Sequence, residues 1–585
     1  MNHHRRNILV FVALLVCARM ALVLSLADAF GYGEEFAKSG AAKAMLDGLG
    51  LPHHVLNYAY HEGGGFLVSH LEALGFLLLG PCVLVVKLVA IAFAITTLVV
   101  GAWMVAEHVS VRAAYVFATF FVLAPETFQR VSLLSLGTHV EACVFILLAF
   151  HFTTRVVRGD GSPNRAAIWL GLVGGFGCYV GLQMPPVLLV CGIAVLATLR
   201  GKVLLGVVVR GLAGFVIGAI PLWWMMSKIG VGGVYIYRAS GAEGRPGFFE
   251  SLPQLVAPIL NSRDPLTWAQ TIGFVAVIAW GLALRRSRMQ WILLGYLLVF
   301  AIGWGASGFV LKYDGTWFYL LRLVPPWLVV TILAAIGVDT LFARGGTARV
   351  LALIVCATAV LSGVVGFVRL AGEGRPASPR ENFDILLHTR GYSHQEYILQ
   401  VEWHFAGSAE DKARVFLRSK DDPALLVPEI ANALYSVHSA YASDEIKNRT
   451  LDDVLPQLES VFGANHDLAL LGLGMLVHGN WEFDFPAAYA RIESLPEKLR
   501  EPLAESLGRA GRGPAFRTDR LSRHLEVVPP ERWHDAWWRG IGWRLHKTFR
   551  LRPDLARHAI ASLPENARAP ATLGWERARR LDWIE

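Results

Sequence analysis

Apolar runs about as long as a bilayer is thick recur from the N-terminus of this 585-residue chain to Arg369, and none follows. A helix needs about 20 apolar residues to cross the hydrocarbon core, so the two halves of the chain fold in different solvents. The apolar runs predict a polytopic bundle of eleven spans, near 7–27, 82–106, 110–125, 133–154, 166–183, 185–199, 206–226, 267–284, 291–310, 317–341 and 348–368. The remainder reads as short helices punctuated by Gly and Pro. The expected fold class is therefore all-α: a transmembrane helical bundle over 1–369, then a soluble helical-repeat domain over 370–585.

Charge divides at the same boundary. Up to and including Arg369 there are 26 Lys/Arg against 15 Asp/Glu, and beyond it 28 against 31. The net charge of +8 thus belongs to the membrane half. It speaks for orientation, not for nucleic acid, since no basic stripe with interleaved aromatics is present. With the N-terminus inside, the cytoplasmic connections carry Arg5 and Arg6, Arg112, Arg155 and Arg158, Arg200 and Lys202, Arg285 to Arg288, and Arg344 and Arg349. That follows the positive-inside rule, and an odd number of spans sends 370–585 outside. The expected location is the plasma (inner) membrane. Ala27-Asp28-Ala29 resembles a cleavage site, but the apolar stretch before it is longer than a signal core. All six cysteines fall in or beside the spans, with no metal-ligand spacing among them.

The acids collect on the expected outer side. The first outer loop, 28–81, opens with Glu34 and Glu35, continues through a surface helix from Glu35 to Leu46, and reaches His61-Glu62-Gly63-Gly64-Gly65. Three glycines permit a sharp turn or a close backbone approach; an ordinary solvated linker explains them equally. A second short apolar segment runs from Phe66 to Leu79, interrupted by Ser69, His70 and Glu72. Basic residues at the same level are Lys87, Arg130, Arg238, Lys312 and Arg322, with Lys87 and Arg322 inside apolar spans, where charge is costly. Snorkelling to the interface is the competing account of both. Arg19 sits mid-span in the first helix without a visible partner. His139 and Glu141 open the fourth span, two residues apart and so on different sides of a helix. The 227–266 loop, with Tyr235 and Tyr237, is long enough to cover a cavity.

The order of membrane helix, acidic pair, surface helix, His-Gly turn, second surface helix and Gly80-Pro81 before a span bearing Lys87 resembles the C-type (GT-C) polytopic glycosyltransferases. That superfamily includes the protein O-mannosyltransferases and the lipid A aminoarabinose transferases. The stretch TWFYLLRLVPPWLVVTILAAIGVDTL, 316–341, is similar to a late span of that superfamily. The resemblance runs from the N-terminus through the last apolar span. It departs at the first acid, where Glu34 stands for the usual Asp, and before the late span, where Phe318-Tyr319 replaces Arg-Tyr. The resemblance implies transfer of one sugar from a polyprenyl-phosphate donor to a hydroxyl of a glycan, lipid or protein on the outer face. It implies Glu34 as catalytic base and Glu35 as its orienting partner, or the two together as ligands of Mg²⁺ or Mn²⁺. His61, Glu62, Lys87, Arg130, His139, Glu141, Arg238 and Arg322 are then the candidate substrate contacts. The alternative from a different class is a non-catalytic membrane scaffold or transporter that displays the soluble domain. A transporter would be expected to show two related halves with broken helices, and none is legible here.

The soluble half repeats itself. Gly472-Leu473-Gly474 and His478 recur as Gly540-Ile541-Gly542 and His546, a constant offset of 68 in residue number. Ile492 to Glu497 recurs as Ile560 to Glu565, and Pro502 as Pro570, at the same offset. Pro428-Glu429 fits a fainter earlier copy. A helical-repeat array is the expectation, stacked because one unit cannot bury its own apolar face. The matched histidines and the cluster Trp533, Trp537, Trp538 and Trp543 read as packing positions, and the array as a binding surface without chemistry of its own.

Overall fold

The computed structural model describes residues 2–26, 35, 38–39, 42, 45–46, 63–159, 161–234, 248–255, 264–284, 287–307, 323–372, 427–435, 450–477, 485–510, 530–548 and 553–580. It divides into two compact units, one formed by Met1–Glu35, Glu62–Met225 and Glu243–Ser378, the other by Phe36–His61, Met226–Ala242 and Pro379–Glu585. Regular structure among the described residues is helical throughout.

The first unit runs α1 (Asn2–Leu26), α2 (Gly64–Leu79), α3 (Val83–His108), α4 (Val111–Val122), α5 (Glu126–Val131), α6 (Val140–Arg158) and α7 (Pro163–Val180). It continues with α8 (Met184–Thr198), α9 (Gly201–Gly218), the part of α10 (Ile220–Val234) up to Met225, α11 (Pro265–Leu284), α12 (Arg288–Ser307), α13 (Val324–Arg344) and α14 (Gly346–Gly372). Eight of these helices are long and apolar enough to cross a membrane. α6 and α13 are largely enclosed by their neighbours. α1, α9 and α11 expose Leu9, Leu14, Leu205, Leu212 and Ile272. Apolar side chains exposed on so many helices suit hydrocarbon as the surrounding solvent, not water.

Several expected boundaries move, each for a local reason. The span expected at 133–154 begins at Val140, because 132–139 forms a buried turn segment with Gly137 at φ +84°. The span expected at 317–341 begins at Val324, since Pro325 and Pro326 are tolerated only in a first turn. The stretch 206–226 divides at Ala219 into α9 and α10, with Pro221 placed in the first turn of the second. The stretch 110–125 is only 12 helical residues, which falls short of a bilayer on its own.

Small residues set the packing. A Cβ on Gly171 would lie 2.0 Å from the Gly211 carbonyl oxygen, and one on Gly175 2.3 Å from that of Phe215. From the other side, Gly214 and Gly218 meet the carbonyls of Ile168 and Leu172 at 2.3 and 2.2 Å. α7 and α9 therefore pack backbone against backbone through two small-xxx-small stripes. In lipid that close contact supplies the dispersion attraction which apolar side chains cannot.

In the second unit, α15 (Val427–Tyr435) and short turns over 451–477 precede α16 (Phe485–Ser494), α17 (Glu497–Ala510), α18 (His534–Thr548), α19 (Pro553–Ala561) and α20 (Glu565–Arg580). Equivalent helices start at His466 and His534, Phe485 and Pro553, and Glu497 and Glu565, each pair at the offset of the sequence repeat. Glycines mark the crossings: Gly474 against Ser506, Gly508 against Trp537, Gly542 against Ala571 and Gly574 against Arg539. Trp533, Trp537, Trp538 and Trp543 are buried in this unit, as is His546. His478 lies outside the described residues. Between α17, α18 and α20, the buried carboxylate of Glu505 accepts from Arg509 Nη2 at 2.8 Å and Arg539 Nε at 3.0 Å, with Arg577 Nη1 at 3.8 Å.

Candidate functional site

One end of the first unit gathers the polar groups that its apolar helices leave over. α1 ends there, α3 begins there, and the turn segment 132–139 joins α5 to α6. Lys87, one turn into α3, sits among Val83, Val85, Val86 and Ala90, all buried. An ammonium at that position needs a counter-charge, and the first loop supplies it. Lys87 Nζ lies 2.8 and 2.7 Å from the two oxygens of Glu35, with both side chains out of solvent. The Ser135 amide donates to Glu35 Oε1 at 3.1 Å. One carboxylate thus joins the first loop, the third helix and the 132–139 turn.

The turn is built to be buried. Gly137 lies against Gly64 so tightly that a Cβ on Gly64 would fall 1.6 Å from the Gly137 oxygen. The Gly63 amide donates to the Tyr179 carbonyl at 2.8 Å. The glycines beside His61-Glu62 therefore let α2 approach another backbone. Glu141 turns back across the N-terminus of α6 and accepts the amides of Leu136 at 3.0 Å and His139 at 3.3 Å. A carboxylate at a helix N-terminus also meets the positive end of the macrodipole. Its neighbour His139 directs Nδ1 to the Gln183 side chain at 3.1 Å. The His139 ring is thus directed to Gln183 while its backbone amide meets Glu141.

Arg19 closes the set from α1. Its Nε donates to Ser132 Oγ at 2.8 Å, and Nη1 to Gln129 Oε1 at 3.4 Å and the Val122 carbonyl at 3.5 Å. Gln129 in turn donates to the carbonyls of Ala124 and Gly363, both at 2.7 Å. Arg19 is fully buried, and its Nη2 has no hydrogen-bond acceptor among the described residues. The guanidinium fastens α1 to the segment that leads into the turn.

The structure thus joins Glu35 to Lys87, which the sequence offered separately, and adds Ser132, Ser135, Gln129 and Gln183, which it did not offer. Leu133, Leu134 and Leu136 disguised the turn as the start of a span; Ser132, Ser135 and Gly137 were the signal against it. Arg130 is paired with Glu126 at 3.5 Å, one turn away on α5. Glu34, His61, Glu62, Arg238 and Arg322 lie outside the described residues, as do Lys312, Tyr235 and Tyr237.

Two places bear on metal binding. Glu35 is a poor ligand for a divalent cation, because both of its oxygens already face the Lys87 ammonium and an ion there would meet a like charge at contact distance. At the far end of α3, Glu107, His108 and His151 bring three donor atoms within 4.8 Å of one another. Arg158 lies 3.4 Å from His108 Nδ1, and His108 Nε2 is 3.1 Å from His151 Nδ1. Arg158 can only donate, so Nδ1 accepts and Nε2 carries the proton toward His151. The two rings form a hydrogen-bonded histidine pair.

No protein-family model matches the chain, and no curated protein is significantly similar to it. Among solved structures, the chain is similar to ArnT from Cupriavidus metallidurans. The apo form matches with 13% identity over 77% of this chain and 80% of the other, at a TM-score of 0.42. The form bound to undecaprenyl phosphate matches with 13% identity over 86% and 80%, at 0.41. The oligosaccharyltransferase of Archaeoglobus fulgidus, solved with Zn and sulfate, matches with 13% identity over 66% of this chain and 57% of that one, at 0.40. At these scores the likeness extends to no individual residue.

Proposed function

We propose that the chain is a membrane glycosyltransferase, moving a sugar from a polyprenyl-phosphate donor to an acceptor hydroxyl at the outer face. The observation that supports this reading is the buried ion pair of Glu35 with Lys87. It fixes one member of the acidic pair to the bundle and leaves the adjacent one, Glu34, for chemistry.

The chemistry divides accordingly. The acceptor oxygen attacks the anomeric carbon, its proton passes to the Glu34 carboxylate, and the C–O bond to phosphate breaks with its electron pair leaving on the phosphate. A carboxylate base must stand within about 2.6–3.2 Å of that hydroxyl. Lys87 is committed to Glu35, so in this reading it holds the loop and the leaving phosphate is met by other cations, with Arg238 and Arg322 the candidates. Glu35 does not suit a divalent ion, and no step is routed through one. The second unit, in the same reading, lies outside the membrane and binds the acceptor or a pathway partner without chemistry.

Paired variants test the division. Glu34→Gln is expected to abolish transfer from the donor lipid with an unchanged unfolding midpoint. Lys87→Met, which strands a buried carboxylate, is expected to lower the midpoint and the yield of folded protein, at a cost of about 3–5 kcal/mol. Full transfer by Glu34→Gln removes Glu34 from the reaction.

A further inference from the structure

Lys87 and His108 stand near opposite ends of α3, about 30 Å apart along an axis that rises about 1.5 Å per residue. At the His108 end, far from Glu35 and Lys87, α3, α6 and α12 border an open cavity of about 420 Å³. It is lined by His108, Thr154, Arg158, Ser287, Arg288 and Met289. Two guanidinium groups therefore reach one cavity from two helices, Arg158 from the last turn of α6 and Arg288 from the first turn of α12. Among the described residues lining it none is acidic. The nearby carboxylate of Glu107 is turned to Arg155, at 3.8 Å.

Arg288 Nη1 donates to the Val157 carbonyl, and Arg158 Nη1 reaches His108 Nδ1 at 3.4 Å. The N-terminus of α12 is ordered toward the cavity by a reciprocal cap, in which the Ser287 amide donates to Gln290 Oε1 at 2.9 Å and the Gln290 amide to Ser287 Oγ at 3.2 Å. That 20-residue helix adds its positive end to the two side chains. Planar guanidinium forks match the oxygens of a phosphate, and the Ser287 hydroxyl, which accepts the Gln290 amide, keeps its proton to donate. The cavity sits at the ends of membrane-length helices, where basic pockets meet lipid head groups, and Met289 gives it an apolar wall.

We propose that this cavity binds a phosphate group, presented by the head group of an anionic phospholipid or by a soluble phosphate. It is a second anion site, remote from the Glu35–Lys87 end and independent of the transfer reaction.

The test uses the full-length protein in a neutral detergent. Native mass spectrometry follows retention of added phosphatidylglycerol, with phosphatidylcholine as reference, and a separate titration follows stabilisation by inorganic phosphate at constant ionic strength. Wild-type protein is expected to hold one phosphatidylglycerol saturably, and Arg158→Gln/Arg288→Gln to hold it at least ten-fold more weakly. Arg158→Lys/Arg288→Lys, which keeps the charge, is expected to recover part of the loss. If phosphate stabilises with the same arginine dependence and the lipid does not bind, the ligand is soluble; if only the lipid binds, it is the head group. Should the glutamine variant not fold, phenylglyoxal labelling of wild-type protein decides, since ligand at saturation must shield Arg158 and Arg288. Equal binding of both probes by wild type and variant, or unshielded arginines, overturns the proposal.

Discussion

Glu35 and Glu505 are carboxylates taken out of water in different ways. Glu35 faces one ammonium in the membrane unit, and Glu505 faces three guanidinium groups in the other. Burial alone would raise the Glu505 carboxyl. The charge of Arg509, hydrogen bonds from Arg509 and Arg539, and the charge of Arg577 together hold it below the usual carboxylate range. A carboxyl depressed on folding contributes stability above its unfolded value, near about 4.3, and loses it as pH falls through the lower folded value. Unfolding of wild-type protein followed by tryptophan fluorescence is therefore expected to show an acid-dependent loss that begins below about pH 4.5. Glu505→Gln should start about 3 kcal/mol less stable at pH 7, with the charge of Arg509 and its neighbours uncompensated, and lack that part of the acid dependence. An identical pH profile in the two proteins would remove Glu505 from the acid response. At this scale the sequence showed which residues were costly without showing their partners. Glu35 and Lys87 were both flagged, yet they are 52 positions apart, and no periodicity links them. Arg19 was flagged alone because its acceptors, Ser132 and Gln129, belong to a distant part of the chain.

Among the elements, helix positions were legible wherever hydropathy and proline agreed. Gly80-Pro81 announces α3, and Pro163 announces α7 with Ser162 accepting the Arg165 amide. The 132–139 segment was not legible, because Leu133, Leu134 and Leu136 are buried without being helical. Apolar content reports burial, and a buried turn satisfies it as well as a span does. The stripes of α7 and α9 make a sharper prediction. Gly175→Leu places a branched side chain where a Cβ alone would be 2.3 Å from the Phe215 oxygen, so the two helices must separate. Loss of at least about 2 kcal/mol is expected, from overpacking and lost backbone contact. Gly192→Leu on α8, where a Cβ meets nothing within 4 Å, should leave the unfolding midpoint and the yield unchanged. Equal behaviour of the two variants would mean that α7 and α9 do not pack through this stripe.

Taken whole, the molecule is a helical membrane unit followed by a helical unit whose elements recur at a constant offset. Charge and hydropathy change together just after Arg369, because lipid and water select opposite compositions, while the first compact unit runs on to Ser378. The positive-inside reading of the loops makes a topological prediction: a reporter fused after Gly372 is expected outside the cytoplasm, and one in the connection at 159–162 inside. A cytoplasmic signal at the first position would put the second unit on the wrong side for an acceptor at the outer face. The central claim is that Glu34 acts as a base in sugar transfer from a polyprenyl phosphate. Its most direct measurement is the pool of polyprenyl-phosphate-linked sugar in lipid extracts from cells that lack the chain, compared with cells restored with wild type or with Glu34→Gln. The account predicts that one such lipid accumulates in the deletion, returns to its basal level with wild type, and stays accumulated with Glu34→Gln expressed at the same level. An unchanged lipid pool in the deletion, or full restoration by Glu34→Gln, would contradict it.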